Sequence, residues 1–266
     1  MKTTSLIVFI FSVLSVCQAD VIFSDDFNSY EPGPLPKGDN WSTSGNATVV
    51  ADSGSLFGPN NQYLEMSQTG SDGGANIASK TLVMPDQGMI SFDFSIPSAM
   101  TGGVNFRIGT GNSNGSTAFA IRLASGTTSG QRVYSTLPNM GQGSILSNNT
   151  LGTVDHVTII YNNTASPYSY NIGSFVSTLD ANTMDVWVGT TLVGDNLGRS
   201  GGLAKGTPLS MINFISPSTD TILDIWVDNI VVQDANIPEA SSYSLIGGLC
   251  ALLFFLRRRS IRKTVA

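Results

Sequence analysis

Apolar and polar residues alternate with a period of two through most of the middle of the chain. In Met89–Ile96, Ile90, Phe92, Phe94 and Ile96 share one face, and Ser91, Asp93 and Ser95 the other. Val104, Phe106 and Ile108 repeat the pattern against Asn105 and Arg107, and Phe119, Ile121 and Leu123 continue it, as does Val157–Tyr161. Met184, Val186 and Val188 alternate with Asp185 and Trp187. Val21–Phe23, Ala47–Ala51, Gln62–Met66, Met211–Ile215 and Ile222–Val232 are further short β-prone runs. Turn-rich stretches such as Gly70–Gly74, Gly109–Gly115 and Gly198–Gly202 separate them. No run of helical periodicity interrupts the series between the two chain ends. The pattern predicts one all-β domain over residues 20–236, an antiparallel β-sandwich of a dozen or so short strands. It shows no internal repeat and no linker.

The two ends break this rhythm. Lys2, the apolar run Leu6–Val16 and the small residue Ala19 have the layout of a secretory signal peptide over residues 1–19, with cleavage expected after Ala19. Acylation of Cys17 is the alternative, but bulky Val16 stands where a lipoprotein signal has a small residue. At the other end Tyr243–Leu256 is apolar except for Ser244 and runs into Arg257, Arg258 and Arg259. At 1.5 Å per residue that helix spans roughly 21 Å, short of a ~30 Å hydrocarbon core. Crossing a membrane then requires snorkelling arginines at one interface and Ser241 and Ser242 near the other. The basic end, 257–263, is expected on the cytoplasmic side, with the body outside.

Charge divides along the same lines. Residues 20–237 hold 18 acids against 7 bases, a net −11, whereas the last 29 residues are net positive. An acidic body argues against nucleic acid as a partner, since phosphate binding needs clustered Lys and Arg. With 41% hydrophobic and only 12% charged residues, it is not an acidic disordered chain either. Both cysteines, Cys17 and Cys250, lie in the ends, so the body contains no disulfide and relies on core burial or a metal.

The tail Pro238-Glu239-Ala240, apolar helix, Arg257–Arg259 resembles the PEP-CTERM sorting signal of Gram-negative bacteria, with Ala240 where that motif has its last proline. The resemblance covers about the last 30 residues. It implies an exosortase-like sorting enzyme as partner, cleavage near the motif, transient membrane anchoring through the helix, and export linked to exopolysaccharide or the cell surface.

The body is similar to concanavalin A-like and laminin-G-like jelly rolls. Three pieces carry the likeness: the opening Phe23-Ser24-Asp25-Asp26-Phe27, the closing Ile225–Val232, and a hairpin in which Asp185–Val188, Gly189-Thr190-Thr191 and Leu192–Gly194 read as strand, turn, strand. It implies that the first and last strands pair. Asp25, Asp26, Asp228 and Asn229 would then converge as a candidate calcium site, because calcium takes six to eight oxygen ligands.

Relatives of this fold cleave polysaccharides with paired carboxylates. No Glu-x-Asp-x-x-Glu strand exists here, and Glu31 and Glu65 both read as solvated, Asp93 as a lone carboxylate. His156, the only histidine, has no nucleophile elbow to serve and cannot make a zinc site alone. No catalytic residue is therefore assigned. Trp187, Trp226, Tyr168 and Tyr170 are candidate sugar-contacting aromatics. The expectation is an exported, glycan-contacting, non-catalytic β-sandwich. A matrix protein without a ligand, and a hydrolase or lyase with an unrecognised acid pair, are the alternatives.

Overall fold

The computed structural model describes residues 19–36, 41–44, 46–69, 77–126, 130–216 and 222–235. The predicted signal segment up to residue 18 and the tail carrying Pro238, Glu239, Ala240, Arg257, Arg258 and Arg259 lie outside the described residues. Asp20–Ala235 form one compact unit. Among the described residues no helix is long and apolar enough to cross a membrane.

The body is built from β1 (Val21–Asp25), β2 (Gly33–Pro34), β3 (Trp41–Ser44), β4 (Asn46–Ala51), β5 (Gln62–Thr69), β6 (Ile77–Thr81), β7 (Gln87–Ser95), β8 (Gly103–Gly109) and β9 (Thr117–Ser125). It continues with β10 (Gln131–Thr136), β11 (Ile145–Thr150), β12 (Asp155–Asn162), β13 (Tyr168–Ile172), β14 (Phe175–Leu179), β15 (Thr183–Val188), β16 (Thr191–Gly198), β17 (Met211–Ile215) and β18 (Ile222–Asp234).

These strands form two antiparallel sheets packed as a jelly-roll sandwich. The larger sheet runs β16-β15-β12-β7-β18-β5-β4-β2, with β1 added beside the second half of β18. The smaller runs β11-β10-β9-β8-β17-β6-β3, and β13 and β14 make a separate hairpin. The expected pairing of first and last strands is present: Phe23 lies opposite Val232 and Asp25 opposite Ile230. β18 is long enough to pair β5 through Val227, then shift register and pair β1. The shift lies between Asp228 and Val231, and Asn229 takes a left-handed φ of 50° there, which Asn tolerates better than most residues. The predicted hairpin is also present, with a turn of only Gly189 and Thr190, because Thr191 already pairs with Val188.

Alternation decides which face each strand buries. Ile90, Phe92 and Phe94 of β7 point inward with Val157 and Ile159 of β12 and Ile225 and Val227 of β18. From the smaller sheet come Val104, Phe106 and Ile108, Phe119 and Ile121, and Ile212 and Phe214. The two layers meet through Phe92, whose ring lies 4.9 Å from Phe106 and 5.3 Å, edge-on, from Phe214. At one side the sheets are tied by polar groups. Fully buried Arg132 donates from Nε to Asp155 Oδ2 at 2.8 Å, and Tyr134 Oη donates to the same oxygen at 2.6 Å.

Candidate functional site

The outer face of the larger sheet carries the most chemistry. β5 and β18 pair so that Trp226 stands opposite Glu65, and β7 places Ser95 on its other side. The half-buried indole stacks on buried Tyr63, centroids 4.8 Å apart and planes 29° apart, and Phe57 lies 5.4 Å from Tyr63. Trp226 Nε1 donates to Asp224 Oδ1 at 3.0 Å, which fixes the ring's rotation. Burial raises the pKa of Asp224, and burial together with the charge of Asp224 raises that of Glu65. Burial, then the charge of Glu65, pushes the Tyr63 phenol up to about 12. An aromatic ring with two carboxylates beside it thus lies on one surface.

A second polar row crosses the same face one step along the strands. Asp93 lies opposite Asp228 on β18 and opposite His156 on β12. Asp93 Oδ1 and His156 Nδ1 are 2.7 Å apart, and Asn229 Nδ2 donates to Asp93 Oδ2 at 2.8 Å. The hydrogen bond that Asp93 accepts from the imidazole is the main cause raising the His156 pKa. Asp93 is therefore not the lone carboxylate that its strand suggests.

The structure divides the four predicted calcium ligands. Asp25 accepts from the Phe27 backbone N–H, from Tyr30 Oη at 2.9 Å and from Trp41 Nε1 at 2.8 Å, so its carboxylate is spent inside the fold. Asp26 accepts from the Asn28 backbone N–H. Asp228 is reached instead by Asn61, whose Nδ2 donates to Oδ2 at 2.5 Å, and Asn229 serves Asp93. Among the described residues no group of three His, Cys, Asp or Glu side chains converges. The first and last strands pair as expected, but the alternation within Phe23–Phe27 turns Asp25 toward Trp41.

The predicted aromatics separate too. Trp187 and Tyr170 are both 2% exposed, so neither offers a sugar-binding face. The β13–β14 hairpin covers Trp187: its Nε1 donates to Tyr170 Oη at 3.0 Å, and Phe175 packs edge-on at 5.0 Å. Tyr170 Oη donates onward to buried Asp185. Tyr168 stacks on Tyr170 at 6.1 Å and donates to the Ala235 carbonyl. Of the four, Tyr168 and Trp226 are half-buried, and Trp226 is the one with Glu65 and Asp224 beside it. Its partners Tyr63, Glu65 and Asp224 were missed, because only the β5–β18 register brings them together. The alternation of Tyr63 with Leu64 and Glu65 was the available signal.

No protein family matches the sequence, and no curated protein matches it significantly. Among solved structures, one of a sialidase superposes with a TM-score of 0.53 at 12% identity, over 82% of this chain and 19% of that one. The chain thus spans about a fifth of that protein's length. A carbohydrate esterase from the Shiga toxin-encoding bacteriophage phi24B superposes with a TM-score of 0.52 at 10% identity, over 82% of this chain and all of the other. At such identities the likeness is one of fold, the antiparallel jelly-roll sandwich described above.

Proposed function

We propose that this chain is an exported β-sandwich of the cell surface or extracellular matrix that contacts glycans through the outer face of its larger sheet and does not cleave them. The Trp226–Tyr63 stack beside Glu65 and Asp224 carries this reading. A fixed ring covers the C–H face of a pyranose while neighbouring carboxylates accept its hydroxyls. Likeness to a sialidase and a carbohydrate esterase supports the reading through fold alone. Export rests on the signal-like residues 1–19, and sorting by an exosortase-like enzyme on Pro238-Glu239 and Arg257–Arg259. The test is retention of the secreted protein on a panel of extracellular polysaccharides. Trp226→Ala is expected to lose retention at least tenfold with its thermal midpoint lowered by no more than about 8 °C. A wild-type protein retained by no sugar leaves the ligand-free matrix reading. Intact-mass analysis tests the sorting: Arg257–Arg259 still present on the secreted form would refute it.

One observation favours a second reading. Glu65 and Asp224 lie on adjacent strands of one face, and the charge of Asp224 adds to burial in raising the Glu65 pKa. Glycosidases use two carboxylates about 5–10 Å apart, one kept protonated by a raised pKa. Turnover of a polysaccharide that disappears in Glu65→Gln would establish hydrolase chemistry, and absence of turnover across the panel retires it.

A further inference from the structure

Charge is divided between the two sheets. Lys80, Arg107, Arg122 and Arg132 lie on strands of the smaller sheet, whereas the nine strands of the larger sheet contain no Lys or Arg. The outer face of the larger sheet nevertheless carries Glu65, Asp93, Asp224 and Asp228, because their neighbours Leu64, Phe92, Ile225 and Val227 fill the core. The one basic side chain that those strands offer is His156, and Asp93 already holds it at 2.7 Å.

Glu65 and Asp224, the two carboxylates beside the Trp226 ring, have no counter-ion. Among the described residues the ion pairs are Arg132 with Asp155 and His156 with Asp93. Asp224 Oδ1 accepts the indole N–H at 3.0 Å, and Glu65 stands opposite Trp226 across the β5–β18 ladder. Both carboxylates and the ring are half-buried, so each keeps surface that a ligand can touch. Burial disfavours the charge of each carboxylate, and the charge of Asp224 adds to this at Glu65. Such a pair selects for charge in what it binds. A uronate or sulfated sugar brings a further negative charge and is repelled, and a neutral sugar leaves both charges unpaired. Calcium takes about six to eight oxygen ligands, and no three acidic side chains converge among the described residues. An ammonium group fits. It donates charge-assisted hydrogen bonds to carboxylates, and a cation over a Trp face is attracted by the ring itself.

We infer that the Trp226 platform selects an amino sugar with a free, protonated amine, a glucosamine-type unit of a cationic polysaccharide; this names the substrate class of the site proposed above and rests on that reading. The ring covers the C–H face of the pyranose, and Glu65 and Asp224 at its rim take the ammonium group. The absence of Lys and Arg from the surrounding strands leaves nothing to compete with that amine for the two carboxylates.

Calorimetric titration of the full chain at pH 6 with chitosan, chitin and cellulose oligomers of equal length tests the assignment. The three differ only in whether the second ring carbon carries an amine, an acetamide or a hydroxyl. The chitosan oligomer is expected to bind at least tenfold more tightly than either of the others, with an affinity that falls as salt is raised. Glu65→Gln and Asp224→Asn keep the side-chain shapes, and Asn keeps an acceptor for the indole N–H. Each is expected to melt no lower than wild type and to bind the chitosan oligomer at least threefold more weakly. Asp195→Asn removes an equal charge from exposed β16 at the far edge of the sheet and should change nothing, which separates a site from general attraction to an acidic body. Equal binding of all three oligomers that is lost in Trp226→Ala keeps the platform and overturns the amine. No binding of the chitosan oligomer, binding that survives Trp226→Ala, or an equal loss in Asp195→Asn and Glu65→Gln also overturns it, whereas silence of every sugar overturns the platform as well.

Discussion

Asp228 and Asp93 stand directly opposite each other on β18 and β7, a cross-strand pair of like charges on the outer face of the larger sheet. Only one of them is compensated. Asp93 has the His156 ring and the Asn229 amide, whereas Asp228 is fully buried, is reached by the Asn61 side chain at Oδ2, and leaves Oδ1 without a side-chain partner. Burial, with the nearby charges of Asp93 and Asp26, pushes the Asp228 pKa up to about 6.

A carboxyl whose folded pKa lies above its unfolded value favours the fold while protonated. Its contribution is complete below about pH 4 and is lost as pH rises through about 6. At pH 7.5 the ionised group then costs about 1–2 kcal/mol, once partial solvent screening is allowed for. Asp228→Asn keeps an acceptor for Asn61 and turns a donor toward Asp93. It should raise Tm by about 2–8 °C at pH 7.5 and by much less at pH 4.5. Thermal unfolding at the two pH values decides; an equal effect at both removes the explanation.

His156 titrates with the opposite kind of group but the same slope. Its pKa is raised mainly by the Asp93 hydrogen bond, so the stabilisation it brings is present below about 6.5 and fades as pH rises through the folded pKa. The side chain is 52% exposed, so the effect on stability is small. The sharper readout is the imidazole titration followed by NMR. Its midpoint should fall in Asp93→Asn, and Asn229→Ala, which frees Asp93 Oδ2, should raise it slightly.

Much of the fold was legible because one face of each strand had to be apolar. Phe92, Phe106 and Phe214 declare the inner faces of β7, β8 and β17 by alternation alone, and Asp185–Gly194 declares its hairpin. What was not legible depends on register between distant strands. Tyr63 and Trp226 are far apart in the chain, and nothing local to either announces their stack. Trp187 looked like an outward-facing aromatic, and it is one. The β13–β14 hairpin, short and without clear alternation, folds over it. Asp25 was read as a candidate calcium ligand, but Trp41 and Tyr30 claim its carboxylate.

The two tryptophans therefore make opposite predictions. Trp187 is packed under Phe175 and bonded to Tyr170, so Trp187→Ala should cost about 3–5 kcal/mol. Trp226, half-buried and facing outward, should cost no more than about 1–2 kcal/mol on the same change. Tyr170→Phe, which strands Asp185 and the Trp187 N–H, should cost about 1–3 kcal/mol. Urea unfolding of the three variants orders them; a Trp226→Ala loss as large as that of Trp187→Ala would place both rings in the core.

The Arg132–Asp155 pair joins the two sheets, and among the described residues Arg132 is the one fully buried guanidinium given a carboxylate. Arg132 also reaches the Thr153 carbonyl and hydroxyl, while Asp155 Oδ2 receives Tyr134 and Asn149 as well. Removing Asp155 alone leaves Arg132 charged, dry and half-bonded, so Asp155→Ala should cost about 3–5 kcal/mol. Changing both to apolar residues of similar size, Arg132→Met with Asp155→Leu, removes the stranded charge and should recover at least half of that loss, though Tyr134 and Asn149 then lose their acceptor. A guanidinium-chloride double-mutant cycle measures the coupling directly. Additive losses would mean that the pair does not hold the sheets together, and that the apolar inner faces do so without it.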